Sequence, residues 1–454
     1  MKFSRLIALL LILSMTLPFI CACGDGEDGE PKKKYPTKTL NVYNWGEYIS
    51  DEYDEEAGLV DVNAEFENYF NEKLADEYGC YIKVNYSTYA TNEDMYAKLY
   101  NGAVSYDIVI PSDYMIQKMI AEGMLQTIDY SKLSNYSNIS EEFKGLYYDP
   151  KNEYSVPYTY GMLGVIYNTE FVPEEYALDE NGEGSWALLW DEKYAGKILQ
   201  FNNPRDAFGT AMYWKNMDVN SADPEVWNDA LELLKEQKPL LQGYVNDEIF
   251  NKMKGASAYI APYFAGDFLI MAAENEDLAF YYPKEGTNYF VDAMCIPEKS
   301  KNPDLAHEYI NYMISLEIAR ANALYIGYAS PNKAVTDDPE YRELLSENYD
   351  TDLVNAWDTL YGKTKGEANE KYSYNPAYEN YKNEGVDIQA HVNSLWESLK
   401  TENSTEPWIH VTSIAIIVGV ISLAVYNIYI KKKRSRDYRL RDKMKQQNKQ
   451  KETT

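Results

Sequence analysis

"YDIVIPSDYM", Tyr106 to Met115, decides how this chain is read. Ile108 to Ile110 is a short apolar run, which suits a buried strand. Pro111 turns it into a loop, and a helical pattern, "YMIQKMIAEGML", follows and breaks at Gly123. The same succession stands upstream. "TNEDMYAKLYNGA" opens on Thr91, carries acids in its first turn and ends at Gly102, as a capped helix does. Before it, "CYIKVNYSTY" is a strand, "VNAEFENYFNEKLADEY" has helical spacing, and "TLNVYNW" is the first strand. This β-α-β-α-β alternation predicts a parallel sheet covered by helices.

A second block continues the pattern. "YSVPYTYGMLGVIYNTEF" predicts two strands with a Gly between them, and "SWALLWDEKYAGKILQF" a helix followed by a strand. "VWNDALELLKEQ" and "AGDFLIMAAEN" read as helices; "ASAYIAPYF", "LAFYYPKEG" and "FVDAMCIPEKS" read as strands. "PDLAHEYINYMISLEIARANALYIG" is a long helical region, and a last helix lies near "VDIQAHVNSLWESLK". The acidic loop "ISDEYDEEAGLVDV" reads as a solvated insertion, and no internal repeat is visible. The 454 residues exceed one ordinary core and predict two lobes or domains.

The ends differ from the middle. Residues 1–22 read as a secretory signal, with Lys2 and Arg5 before an apolar run, and "ICAC" at Ile20–Cys23 resembles a lipobox that makes Cys23 the lipidated residue. Residues 23–38 read as a flexible tether. Residues 408–430, from Trp408 through "VTSIAIIVGVISLAVYNIYI", suit a transmembrane helix with aromatic residues at both interfaces. The basic stretch after it, in residues 431–454, reads as a cytoplasmic flank, which puts the body of the protein outside the membrane.

The net charge is −29. Two basic residues in the signal and +8 from Trp408 onward leave −39 on the body. Such a charge repels phosphates and argues against nucleic acid. Of four cysteines, Cys80 and Cys295 lie in the body, and two buried thiols are expected there rather than a bridge. Three histidines and no CxxC outside the signal make no case for zinc or haem.

Open α/β sheets bind ligands beyond the carboxyl ends of their strands. That rule selects the loop after "NVYN", with Trp45 and Tyr48, and the loop after "DIVI", with Ser112, Asp113 and Tyr114. At this point "YNWGEYI", "VNYSTYATNEDMYAKL", "YDIVIPSDYMIQKMIAEGMLQTID", "SVPYTYGMLGVIYN", "YYPKEG" with "FVDAMCIP", and "YIGYASPN" stand in one order. In that order the chain, from about Leu40 to Lys400, resembles the spermidine/putrescine-binding proteins, the extracytoplasmic receptors of polyamine ABC importers.

The resemblance implies a two-lobe, periplasmic-binding-protein-like (type II) α/β fold with a hinge, closing on its ligand, here with a C-terminal transmembrane helix added. Lobe one would hold 39–161 and 292–336, and lobe two 162–291 and 337–400. The partners implied are a polyamine, an ABC permease and its ATPase; no cofactor is implied. A polyamine needs spaced carboxylates for its ammonium groups and aromatic faces for both amines and methylenes. The resemblance gives these roles to Trp45, Tyr48, Ser112, Tyr114, Asp206, Tyr263, Phe290, Asp292 and Tyr328, with Asp292 facing the cleft from a crossing strand. Gly46 stands where the family often carries a small hydroxyl residue, and Asn203 where it carries an acid. Glu397 falls roughly at a family Gln. Asp113, Glu47 and Asp267 read as surface, although Asp267 or Glu397 would compensate for the acid missing at Asn203. Other readings stay open: a receptor of the same fold for another organic cation or iron(III), a membrane-anchored sensor, and a glycosidase using Asp206 and Asp292. No GxSxG, P-loop, HExxH or dinucleotide fingerprint is present, and the chain reads as a binding protein rather than an enzyme.

Overall fold

The computed structural model describes residues 34–102, 104–349, 354, 360, 380–383 and 385–401. The expected signal, Cys23, the membrane span and the basic tail lie outside them. Among the described residues no helix is long and apolar enough to cross a membrane. Contacts divide the chain into two compact units. Among the described residues, the small unit joins residues 34–39 with Glu67–Lys83. Within it Asn71 reads the backbone of Ile82 in both directions, accepting from its N–H at 2.7 Å and donating to its carbonyl at 3.1 Å. The large unit is Leu40–Phe66 with the described residues from Val84 onward.

The alternation of the first block is observed. β1 (Thr37–Trp45), α1 (Val62–Lys73), β2 (Tyr81–Tyr89), α2 (Asn92–Asn101), β3 (Ile108–Val109) and α3 (Asp113–Ala121) follow in order. β1 and β3 are parallel, Val42 against Ile108 and Tyr43 against Val109. The Thr91 side chain accepts from Asp94 N, and Gly102 ends α2 in the left-handed region at φ 65°. Then come β4 (Ser155–Asn168), β5 (Ile198–Phe201), α4 (Pro204–Trp214), α5 (Pro224–Gln237), β6 (Leu241–Val245), β7 (Ile260–Phe264), α6 (Ala265–Glu274), β8 (Leu278–Tyr281) and β9 (Tyr289–Cys295). The helices α7 (Pro303–Met313), α8 (Leu316–Ile326) and α9 (Val386–Thr401) complete the set needed here.

The strand order is β2-β1-β3-β9-β4-β7-β5-β6, with β8 also paired to β4. β4 joins two strand groups. Ser155 to Met162 pair with β9; Leu163 to Asn168 pair with β7 and β8. The result is the expected two-lobe α/β architecture.

Four readings are corrected. β4 is one strand where two were expected. Gly161 does not end it but omits a side chain where Phe290 crosses, since a Cβ there would stand 2.8 Å from Phe290 Cζ. Residues 185–194 form two 3₁₀ turns, Trp186–Trp190 and Glu192–Tyr194, because Ser185 and Asp191 each cap a fresh start and so prevent one continuous helix. The long helical region is two helices, interrupted where Ser315 adopts extended backbone. α4 was not anticipated, although Asn203 followed by Pro204 is a helix-start signature. Cys80 and Cys295 are buried free thiols, as expected.

Candidate functional site

Past the end of β1 the turn Gly46–Tyr48 enters a cleft of about 860 Å³, counting the solvent at its mouth. Trp45 is fixed there by its indole N–H, which donates to Ile110 O at 2.9 Å, and by Tyr89, whose ring lies 4.6 Å away. The buried Tyr48 hydroxyl donates to Asp292 Oδ2 at 2.9 Å and shares a second hydrogen bond with Thr159. The Tyr48 ring meets Tyr328 edge-on at 4.9 Å. Tyr263 stacks on Phe201 at 5.6 Å, and Phe290 meets Phe264 edge-on at 5.5 Å. These rings present faces and edges that suit a cation bearing methylenes.

The acids come from a repeated local design. Glu93, Asp206 and Asp267 each lie in the first turn of the helix that follows a strand, on α2, α4 and α6 respectively. Asp247 stands at the N-cap position of the helix Glu248–Lys254, after β6. Helix N-termini aimed at a cleft favour anions. Carboxylates placed there neutralise that preference and reverse it. Asp292 arrives on β9.

Burial pushes the Asp206 and Asp292 carboxyls up to about 7 and the Asp267 carboxyl up to about 8. Burial also raises Glu93. Polar neighbours temper but do not remove these shifts. Asn203 donates to Asp206 Oδ2 at 2.9 Å while its own oxygen caps α4 through Asp206 N at 2.8 Å. Tyr114 donates to Glu93 at 3.0 Å, and Tyr328 to Asp267 at 2.8 Å. Asp292 Oδ1 is buried with no hydrogen-bond partner among the described residues. Arg205 lies behind the wall, its guanidinium 4.3 Å from the Tyr381 ring centre and donating to Val219 O at 2.9 Å. Among the described residues that line the cleft there is no Lys, Arg or His.

The structure brings together Trp45, Tyr48, Ser112, Tyr114, Asp206, Tyr263, Phe290, Asp292 and Tyr328, with Gly46 and Asn203. It does not bring Glu397. That residue is exposed on α9, a helix that buries Ile388, Val392, Trp396 and Leu399 on its inner stripe and leaves 397 outside. Two acids read as surface line the cleft instead: Glu47, which is exposed, and Asp267, which is only 8% exposed. Asp113 is not surface either. It is fully buried off the cleft, accepts from Tyr114 N at 2.7 Å, and is pushed by burial up to about 8. For Asp267 and Asp113 the reason is that the first turn of a helix after a strand points over the sheet end, not outward; Glu47 lies in the turn after β1. Sequence reasoning missed Glu93, Asp247, Asn92, Phe264 and Tyr381. The acid-bearing first turn of α2 was visible, but nothing local said that it faced the others.

Residues 68–345 match the family model of the bacterial extracellular solute-binding proteins. The chain belongs to this family. Its binding domain is extracytoplasmic, and it is a solute-binding protein rather than an enzyme. The spermidine/putrescine-binding periplasmic protein of Salmonella typhimurium is 34% identical over 311 residues, covering 68% of this chain and 80% of that one. Among solved structures, the spermidine/putrescine ABC transporter substrate-binding protein of Streptococcus pneumoniae is 30% identical, with a TM-score of 0.55, covering 80% of this chain and 98% of that one. A lipoprotein of Treponema pallidum is 25% identical, with a TM-score of 0.58, covering 80% and 99%. The solute-binding protein described here thus shares its fold with receptors of ABC transporters.

Proposed function

We propose that this protein captures a polyamine, putrescine or spermidine, in the cleft and delivers it to an ABC permease and its ATPase. One observation carries the reading: the charged side chains lining an aromatic-walled cleft are all acidic. Six carboxylates, Glu47, Glu93, Asp206, Asp247, Asp267 and Asp292, share one cavity with no basic counterpart among the described lining residues. The raised pKa values of Asp206, Asp267 and Asp292 express an uncompensated cost that an ammonium removes. A desolvated ammonium over an aromatic face gains about 2 kcal/mol more. The acids also fall into separate groups. Asp206 feels the charges of Glu93 and Asp292, whereas Asp267 feels Asp247 and Glu47. Spaced acids suit a chain with amines at intervals better than a single compact cation.

In this reading Trp45, Tyr48, Tyr263, Phe290 and Tyr328 wall the methylenes, Asp206 and Asp292 meet ammonium groups, and Ser112 and Tyr114 complete the loop after β3. The lobes divide near 161 and 292, with 39–161 and 292–336 against 162–291 and 337–400. Lipid on Cys23 and the span 408–430 hold the receptor beside its permease, with the basic tail cytoplasmic. Isothermal titration calorimetry tests the central claim: micromolar or tighter binding of putrescine or spermidine is expected, and a folded protein giving no heat and no thermal shift with either amine would overturn it.

A further inference from the structure

Gly46 and Asp247 meet across the cleft. A Cβ on Gly46 would stand 2.3 Å from Asp247 Oδ2, so no larger residue fits at 46 while Asp247 keeps its place. Asp247 occupies an N-cap position, where aspartate usually accepts from a free backbone N–H, yet its side chain makes no cap bond. Its residue as a whole is exposed, but its carboxylate turns toward the cleft wall. Glu47 beside it is held at φ 47°, in the left-handed region a non-glycine residue rarely adopts. Partial burial first, and the Glu47 charge second, raise the Asp247 pKa. A forgone cap, a like-charged neighbour and an unfavourable backbone are each costly alone. A cation placed between the two carboxylates makes the arrangement favourable.

The rim differs from the depth of the cleft. Asp267 and Asp292 are buried, Asp206 is half-buried, and among the described residues Asp292 Oδ1 has no hydrogen-bond partner. In the polyamine reading the inner acids serve a short diamine, and Asp247, exposed at the rim beside Glu47, is left for an amine that extends past them. Resting on the polyamine reading, we propose that Asp247, admitted by the missing side chain at Gly46, is a specificity-determining residue that binds the outer ammonium of a triamine and so favours it over a diamine.

The test is calorimetric titration of the full-length protein with spermidine and with putrescine. Asp247→Asn should lower the spermidine-to-putrescine affinity ratio about two- to fivefold, the worth of one largely exposed ion pair. Gly46→Ser should lower it similarly, because its Cβ displaces the carboxylate. The double variant should be no worse than Asp247→Asn alone, since both remove one interaction. An unchanged ratio in Asp247→Asn, or fully additive losses in the double variant, overturns the proposal. Failure of the unaltered protein to bind either amine overturns the polyamine reading instead.

Discussion

Asp292→Asn should move affinity and stability in opposite directions. Asp292 is 3% exposed, its Oδ2 accepts from Tyr48 at 2.9 Å, and among the described residues its Oδ1 has no hydrogen-bond partner. Asparagine keeps the shape and an acceptor for Tyr48 but removes the charge. Breaking a buried ion pair costs about 3–5 kcal/mol. The lower end applies where the isosteric residue keeps the hydrogen bond, so roughly 3 kcal/mol, or on the order of 100-fold in Kd, is expected. Ligand-free stability should rise. Burial lifts the folded carboxyl to about 7, above its value in the unfolded chain. The folded state therefore holds the proton more tightly, and stability falls as pH rises through that value. At pH 8 the native protein bears a buried, half-satisfied carboxylate whose removal is worth up to about 4 kcal/mol. At pH 5 the native carboxyl is neutral but the unfolded one is ionised, so the gain shrinks to about 1.5 kcal/mol, and it vanishes only near pH 4. Calorimetry with putrescine and spermidine, and denaturant unfolding of the ligand-free protein at both pH values, read the two effects. Affinity within threefold of the unaltered protein would refute Asp292 as an ammonium partner. A loss of ligand-free stability at pH 8 would refute the electrostatic argument.

Two further outcomes follow from the same geometry. Asn203→Ala should cost about 1 kcal/mol of stability by uncapping α4, and should also weaken amine binding because Asp206 loses the amide that orients it; stability and affinity both unchanged would contradict the assigned cap. Glu397→Gln, on the exposed face of α9, should leave amine affinity within twofold in calorimetry and stability within about 0.5 kcal/mol, so a marked loss of binding would put Glu397 back in the site.

Much of the fold was legible because its signals are local. The run Ile108–Ile110, the Thr91 cap and the helical spacings each express a hydrogen-bonding period of two or about four residues. The aromatic residues past β1 and the acid on β9 could be named because they follow strand ends or match a familiar order of motifs. Where the reading failed, a distant partner decided. Gly161 looks like a strand break until Phe290 is seen crossing it. Asp267 looks like a surface acid until Tyr328 is found donating to it.

The sequence by itself determined the alternation of strands and helices, the apolar faces that bury them, and the supply of first-turn acids on α2 and α6. Only the tertiary structure decided that those first turns share one cleft with Asp292, that Glu397 stays outside, and that Asp247 fits against Gly46. Strand order sets this convergence. It depends on pairings between segments far apart in the chain, and no local period encodes which helix N-terminus will face which.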